Sequence, residues 1–323
     1  MTGKISRILI TGALGQIGSE LTLELRKRYG SDNVVASDIK VVQDNPAYGG
    51  GPWTELDVTD ADAVSRVLKD MKIDTVFHMA AILSATGEKH PQLCWKVNME
   101  GSMNILEAGR QLSLNRIIVP SSIAAFGPET PRDDTPQETI LRPKTMYGVT
   151  KVAGELLCDY YVRKYGLDVR GLRYPGIISS ETLPGGGTTD YAVDIYYKAV
   201  QEGSYTCFVR EDTMLPMMYM PDCIKATMDL AEADLDSLVH HSDFNVGALS
   251  VTAGDIARSI QKHISDFTVK YEPDYRQEIA DTWPKSVNDT AARTEWGWKP
   301  EWNLDSMTAD MLAKLKKKLL EPN

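Results

Sequence analysis

The sequence predicts an α/β protein, a doubly wound parallel sheet with a smaller C-terminal substrate lobe, and three observations predict it. Short β-branched runs alternate with helix-length segments through the first half of the chain. The first run opens directly into a turn spaced by Gly12, Gly15 and Gly18. After Pro175 the alternation loosens into loops containing glycine and proline, with separate helices between them.

Strands are expected at residues 7–11, 33–37, 75–79, 116–121 and 168–173, where apolar residues continue without the in-out alternation of a half-exposed strand. Such runs belong to strands covered by helices on both faces. Helices are expected at 15–29, 61–71, 92–111 and 147–165, which supplies the crossovers that a parallel sheet requires. Further helices follow at 191–202, 222–232 and 306–320. Residues 1–174 form mainly the nucleotide-binding part and 175–323 mainly the substrate lobe, with later segments returning to the first.

Charge and composition narrow the function classes. The 323 residues carry 35 Lys and Arg against 45 Asp and Glu, a net charge of -10. Nucleic-acid and anionic-membrane surfaces need clustered positive charge, so neither partner is expected. The one basic run, Lys-Leu-Lys-Lys-Lys at 314–318, suits the C-terminal end of a helix. Lys4 and Arg7 lead straight into strand-length Ile8-Leu9-Ile10, so no secretory signal is expected. The expected compartment is the cytoplasm, or the mitochondrial matrix for a processed form. Cys94, Cys158, Cys207 and Cys223 stand far apart, His240 and His241 read as a polar loop, and no metal site is expected.

The stretch from Ile8 to Gly18 has the physical parts of a dinucleotide site. Gly12 permits the tight turn, Gly15 lets the backbone approach a pyrophosphate, and Gly18 allows close helix-to-strand packing. Gln16 and Ile17 open the helix whose free N–H groups and dipole face the phosphates. Glycines in turns are common, so the placement after a first strand carries the argument. Asp38 ends the second strand, twenty residues past Gly18, where a carboxylate can take both hydroxyls of a ribose and repel a 2′-phosphate. The ordinary alternative is an Asp opening a turn, and Lys40 nearby bears on the choice of cofactor. A Rossmann fold using NAD rather than NADP is the expectation.

That glycine spacing resembles the extended short-chain dehydrogenases, the NAD-dependent epimerase/dehydratase superfamily, and the resemblance runs through nearly the whole chain. It implies that Asp57 and Val58 contact adenine and that Met79, Ala80 and Ala81, after His78, let the cofactor lie against the sheet. It also implies that Asn98 supports the site from a helix. The run Ala292-Arg293-Thr294-Glu295-Trp296-Gly297-Trp298-Lys299-Pro300 matches the family's terminal signature.

Tyr147-Gly148-Val149-Thr150-Lys151 places a phenol and an ammonium one turn apart on one helix face. A phenol with a pKa of about 10 is a poor base at neutral pH, and nearby positive charge favours its phenolate. Ser121-Ser122 closes the preceding strand, and the family resemblance through Phe126-Gly127 makes Ser122 the catalytic hydroxyl. A Tyr four residues before a Lys is also an ordinary surface pair; its coincidence with Ser122 and the glycine turn favours catalysis. Tyr174-Pro175-Gly176 resembles the family's nicotinamide-side loop, although a Pro-Gly turn is common in itself.

For the substrate, residues 175–323 hold only the arginines Arg210, Arg258, Arg276 and Arg293, few for gripping a sugar-nucleotide diphosphate. Pro184-Gly185-Gly186-Gly187-Thr188-Thr189-Asp190-Tyr191-Ala192 instead offers N–H groups and hydroxyls before a helix, a means of holding a carboxylate. A flexible loop is the plain alternative. This segment is similar to that of the short-chain L-threonine 3-dehydrogenases, as are Ala80-Ala81-Ile82-Leu83-Ser84-Ala85 and Asp281-Thr282-Trp283-Pro284-Lys285-Ser286. The resemblance implies a substrate site of Leu83, Ser84, Ser122, Tyr147, Gly186, Gly187, Thr188, Thr189 and Trp283. It implies NAD-dependent oxidation of the L-threonine β-hydroxyl to 2-amino-3-oxobutanoate in threonine catabolism. It further implies a homodimer through the helices bearing Tyr147 and Asn98, and the helix at 147–165 carries more apolar residues than one buried stripe holds. The alternatives are a nucleotide-sugar 4-epimerase or dehydratase with tightly bound NAD, and a non-enzymatic dinucleotide-sensing regulator.

Overall fold

The computed structural model describes residues 4–183 and 185–320; Pro184, the first residue of the glycine segment above, lies outside the described residues. β1 (Ile8–Thr11) leads through the glycine turn into α1 (Gln16–Tyr29), then β2 (Val34–Asp38), β3 (Trp53–Glu55), α2 (Ala61–Asp70) and β4 (Thr75–His78). Next come α3 (Ser84–Lys89), α4 (Pro91–Trp95), a π turn (Lys96–Glu100), α5 (Gly101–Leu112), β5 (Arg116–Ile118), β6 (Ser121–Ser122) and α6 (Met146–Tyr165). β7 (Val169–Arg170), β8 (Leu172–Tyr174), β9 (Gly176–Ile178), α7 (Tyr191–Gln201), β10 (Ser204–Cys207), β11 (Met214–Tyr219) and α8 (Met220–Glu232) follow. The chain continues with β12 (Phe244–Asn245), β13 (Leu249–Thr252), α9 (Ala253–Gln261), β14 (Thr268–Tyr271), α10 (Tyr275–Ala280), α11 (Thr290–Trp296) and α12 (Leu304–Leu320).

Six strands form one parallel sheet in the order β3-β2-β1-β4-β5-β7. The order turns back between β1 and β4, and in such sheets ligands bind outside the carboxyl ends of the strands at that reversal. Ile8, Leu9 and Ile10 are fully buried because α1 and α8 cover one face and α2, α5 and α6 the other.

Two expected strands are each broken in the middle. The run at 116–121 splits into β5 and β6 at Val119-Pro120, where proline has no N–H for the ladder. The run at 168–173 splits into β7 and β8 at Gly171, where a Cβ would come within 2.3 Å of the Val119 carbonyl oxygen. Beyond the break, β8 lies between β6 and β12, a strand from the second half of the chain, and pairs with both. β3 is missed by the sequence reading because three half-exposed edge residues, Trp53, Thr54 and Glu55, offer no apolar run.

Residues after 175 build a second core from α7, α9, α12 and β11, and Ile123 and Tyr147 reach into it from the sheet side. The same half also returns to the sheet. α8 is pinned there by the buried Arg170, which donates to the Leu230 and Ala233 carbonyls at 2.7 Å each while pairing with Asp168. No helix among the described residues is long and apolar enough to cross a membrane.

Candidate active site

A cleft of about 1070 Å³, counting its open mouth, lies along the carboxyl ends of β1, β4, β6 and β8. Gly12, Gly15, Gln16, Ile17, Gly18, Met79, Ala81, Leu83, Ser84, Ser122, Tyr147, Lys151, Tyr174, Pro175, Gly187, Thr188, Thr189 and Trp283 all line it. Most of the sequence-predicted site is therefore brought together, although its members lie up to 271 residues apart, from Gly12 to Trp283.

At the nucleotide end, Gly12 has φ +65° and lies so close to the end of β4 that a Cβ would meet the Ala80 nitrogen at 2.6 Å. A Cβ on Gly18 would come within 2.1 Å of the Gly12 carbonyl oxygen. The chain here is thus a cradle that side chains would fill. Gly15 caps α1 with no side-chain hydrogen bond, and the first turn of the helix carries no acidic residue. Its N–H groups remain available to an anion. The Gln16 side-chain nitrogen is buried, faces the cleft and lacks a protein partner among the described residues. These features fit a dinucleotide.

Asp38 ends β2 beside this turn, its carboxylate accepting from the Leu14 N–H at 3.1 Å and the Ile39 N–H at 2.8 Å. It does not line the cleft itself. Asp57 and Val58 also lie outside the cleft. Asp57 is exposed and closes a short turn, accepting from the Thr59 N–H and hydroxyl, while Asp60 caps α2. Val58 is buried against Gly101 and its carbonyl accepts from Asn104.

Asn98, expected to support the site from a helix, does not line the cleft itself. It sits in the π turn, accepts from the Ile82 N–H at 2.8 Å and donates to the Ile82 carbonyl and the Thr150 hydroxyl, each at 3.1 Å. Its amide is spent holding the strand-end loop to α6. With Ala80 it lines a second, smaller cavity behind Lys151.

At the reacting end, Thr145 caps α6 by accepting from the Gly148 N–H at 3.0 Å, which sets Tyr147 and Lys151 in the first two turns. The Lys151 ammonium donates to the Pro120 carbonyl at 2.7 Å, an acceptor left free by the strand break, and lies 5.3 Å from the Tyr147 ring centre. Burial pushes the Tyr147 phenol up to about 12, partly offset by hydrogen bonding with Ser122. Burial likewise pulls Lys151 down to about 8, against the pull of Glu155. In the chain by itself, desolvation outweighs the nearby positive charge at the phenol. His78 also faces the cleft, accepting or donating at Nδ1 with the Thr11 hydroxyl at 2.8 Å while Nε2 has no partner among the described residues. Burial drops it to about 3, so it is a neutral imidazole.

The glycine loop differs from expectation in an informative way. The Gly186 and Gly187 N–H groups are not open to a ligand: both donate to Asp190 Oδ2, at 3.1 and 2.8 Å. The Thr188 N–H donates to Ser84 Oγ at 3.1 Å, and the two hydroxyls lie 3.0 Å apart. Gly186 lies outside the cleft, its carbonyl accepting from the Ala85 and Thr86 N–H groups. The loop is therefore fastened to α3, leaving Thr189 as its open hydroxyl. Asp190 itself lines the cleft, and burial raises its carboxyl to about 6. Sequence reading missed it because an Asp before a helix reads as an N-cap, yet its side chain makes no cap bond.

The model of the NAD dependent epimerase/dehydratase family matches residues 8–247. The chain belongs to that family. An uncharacterized epimerase/dehydratase of Staphylococcus haemolyticus is 50% identical over 315 residues, 97% of this chain and 99% of its own. Among solved structures, the L-threonine dehydrogenase of Clostridium difficile is 50% identical with a TM-score of 0.95, covering 98% of this chain and 99% of that one. A monomeric L-threonine 3-dehydrogenase from a metagenome is 48% identical with a TM-score of 0.93, covering 96% and 99%. The protein is an NAD-using enzyme of this family. Among the described residues no cluster of three His, Cys, Asp or Glu is placed to hold a metal.

Proposed function

We propose that this protein oxidises the β-hydroxyl of L-threonine to 2-amino-3-oxobutanoate, releasing NADH. The observation that carries the reading is the cleft's outer half, where a half-buried carboxylate, Asp190, and Thr189 line the same space as Tyr147, Ser122 and Trp283. A small zwitterion needs an anion for its ammonium and neutral donors for its carboxylate once water is excluded. A sugar nucleotide would bring a second diphosphate beyond the glycine turn, and no Arg lines the cleft to pair with it. The L-threonine dehydrogenases solved at about half identity support the same reading.

Tyr147 takes the proton of the β-hydroxyl, and Ser122 donates to that oxygen and orients it. NAD, when bound, supplies the hydride acceptor and the positive charge that brings the Tyr147 phenol into range. Lys151, fixed on the Pro120 carbonyl, adds its own charge and reaches toward the cofactor's ribose side. Asp190 takes the substrate ammonium; Thr189 and Ser84 lie at the carboxylate end; Leu83 and Trp283 exclude water. Residues 1–174 carry mainly the cofactor and later residues mainly the substrate, and two copies join through α5 and α6. NADH formation across a panel of β-hydroxy amino acids and UDP-sugars tests the reading. Turnover confined to threonine-like substrates supports it, and UDP-sugar conversion without free NADH would replace it with an epimerase.

A further inference from the structure

Behind the Tyr147–Lys151 pair lies a buried charge network that neither the sequence motifs nor the mechanism above uses. Glu155 stands one helical turn beyond Lys151 on α6 and is 6% exposed. Arg173, the residue before Tyr174 on β8, grips both its oxygens, Nε to Oε1 at 2.9 Å and Nη2 to Oε2 at 2.8 Å. Ser121, the residue before Ser122 on β6, donates its hydroxyl to the same Oε1. Arg173 is completed by the Gln137 carbonyl at 3.0 Å, Asn245 Oδ1 at 3.1 Å, Asp243 at 3.5 Å and the Phe126 ring at 5.1 Å. One carboxylate therefore touches the immediate neighbours of two site residues, Ser122 and Tyr174, from the helix that carries two more.

Glu155 and Lys151 also share the small cavity behind the site, with Ser121, Thr150, Asn98, His78 and Ser242 around them. The groups acting on Lys151 are Glu155 and Cys158 from its own helix and Cys94 from α4, and it in turn acts on His78 of β4. Cys94, Cys158 and His78 are held neutral by burial: the two thiols are raised and the imidazole is lowered. Asp243 acts on Glu155 across Arg173, and burial raises its carboxyl too. Among the described residues Glu155 is thus the one carboxyl lining the cavity that Lys151 shares, and Arg173 pairs with both its oxygens.

We propose that Glu155, anchored by Arg173 and Ser121, is a positioning residue that keeps the Lys151 ammonium charged behind Tyr147 and fixes Ser122 through the strand beneath it. This rests on the reading of Tyr147 and Lys151 as the reacting pair, and not on the identity of the substrate. A buried ion pair is by itself weak evidence for stability, so a role in the site has to be separated from a staple between β8 and α6.

The test labels lysine side chains with ¹⁵N, assigns Lys151 by loss of its signal in Lys151→Met, and follows its titration in wild type, Glu155→Gln and Glu155→Asp. The pH profile of kcat/KM is recorded beside it. In Glu155→Gln the Lys151 midpoint should fall by about one pH unit, equivalent to a ~10-fold shift in its protonation equilibrium, and the alkaline limb of kcat/KM should move with it. Glu155→Asp keeps the charge and should restore the midpoint. Should Glu155→Gln fail to fold with Arg173 unpaired, Glu155→Gln with Arg173→Gln removes both charges and is read the same way. An unchanged Lys151 midpoint, with activity lowered evenly at every pH, overturns the proposal and leaves the pair a staple. A wild type inactive on threonine, with the Lys151 shift still present, would overturn only the substrate reading.

Discussion

The Lys151 ammonium donates to the Pro120 carbonyl at 2.7 Å, so the residue that holds the site's positive charge is tied to the residue that breaks the strand. A continuous strand would have spent that carbonyl on its ladder. The break also turns Ser122 toward Tyr147, and hydroxyl, phenol and ammonium meet only because β5 ends at Ile118.

Tyr147→Phe should lower kcat by about 10³-fold while leaving NAD affinity within ~2-fold, because only the acid–base hydroxyl is lost. Isothermal titration for NAD and steady-state turnover check both halves. Substantial residual activity would remove Tyr147 from the chemistry.

Asp38→Ala should weaken NAD at least 10-fold and change NADP little, since the ribose loses its acceptor while the 2′-phosphate loses a repelling charge. The loop from Asp38 to Ile39 is held by the Asp38 carboxylate itself, so Asp38→Asn serves as the control that keeps the turn. A wild type using both cofactors equally would count against the ribose role.

How far the site could be read from sequence depended on whether a residue's task is local. Gly12, Gly18 and the Tyr147–Lys151 spacing are local requirements of a turn and a helix face, and the structure places them where they were expected. Glu155 and Arg173 act through partners tens of residues away, such as Ser121 or Asn245, and carry no local pattern. The glycine loop lines the cleft at Gly187, Thr188 and Thr189 but is no row of open donors, because nothing in sequence shows that Asp190 folds back onto Gly186 and Gly187. The short edge strand at Trp53 was invisible for lack of burial, and the π turn at Asn98 because its one extra residue leaves the helical pattern intact.

Asp190 gives a pH dependence. Burial raises its carboxyl to about 6, so it is charged at pH 7 and takes up a proton as pH falls through that value. Threonine KM should therefore rise below about pH 6, where the ammonium loses its partner, with the NAD Kd unchanged. Asp190→Asn should show the low-pH KM at every pH, roughly 10-fold or more above wild type for the loss of a charge-assisted contact. Thr189→Ala should raise KM for threonine more than for threonine methyl ester. Equal losses for the two substrates would place Thr189 away from the carboxylate.

The helix pair α5 and α6, with α4, leaves Trp95, Met103, Leu156 and Tyr160 between 43% and 66% exposed on one side of the molecule. An apolar surface of that kind suits an interface between two copies. Sedimentation velocity should show a dimer, and Leu156→Arg, 66% exposed in the single chain, should give a folded monomer. A wild-type monomer at micromolar concentration would align this protein with its monomeric metagenomic relative instead.

The most direct measurement of the whole account uses L-threonine carrying deuterium on Cβ. Oxidation at that carbon, with Tyr147 taking the hydroxyl proton and NAD the hydride, requires the deuterium to appear on the reduced nicotinamide, one label per NADH formed, and requires Tyr147→Phe to abolish the transfer. NADH without label, or no NADH from threonine while a UDP-sugar is converted, would contradict it.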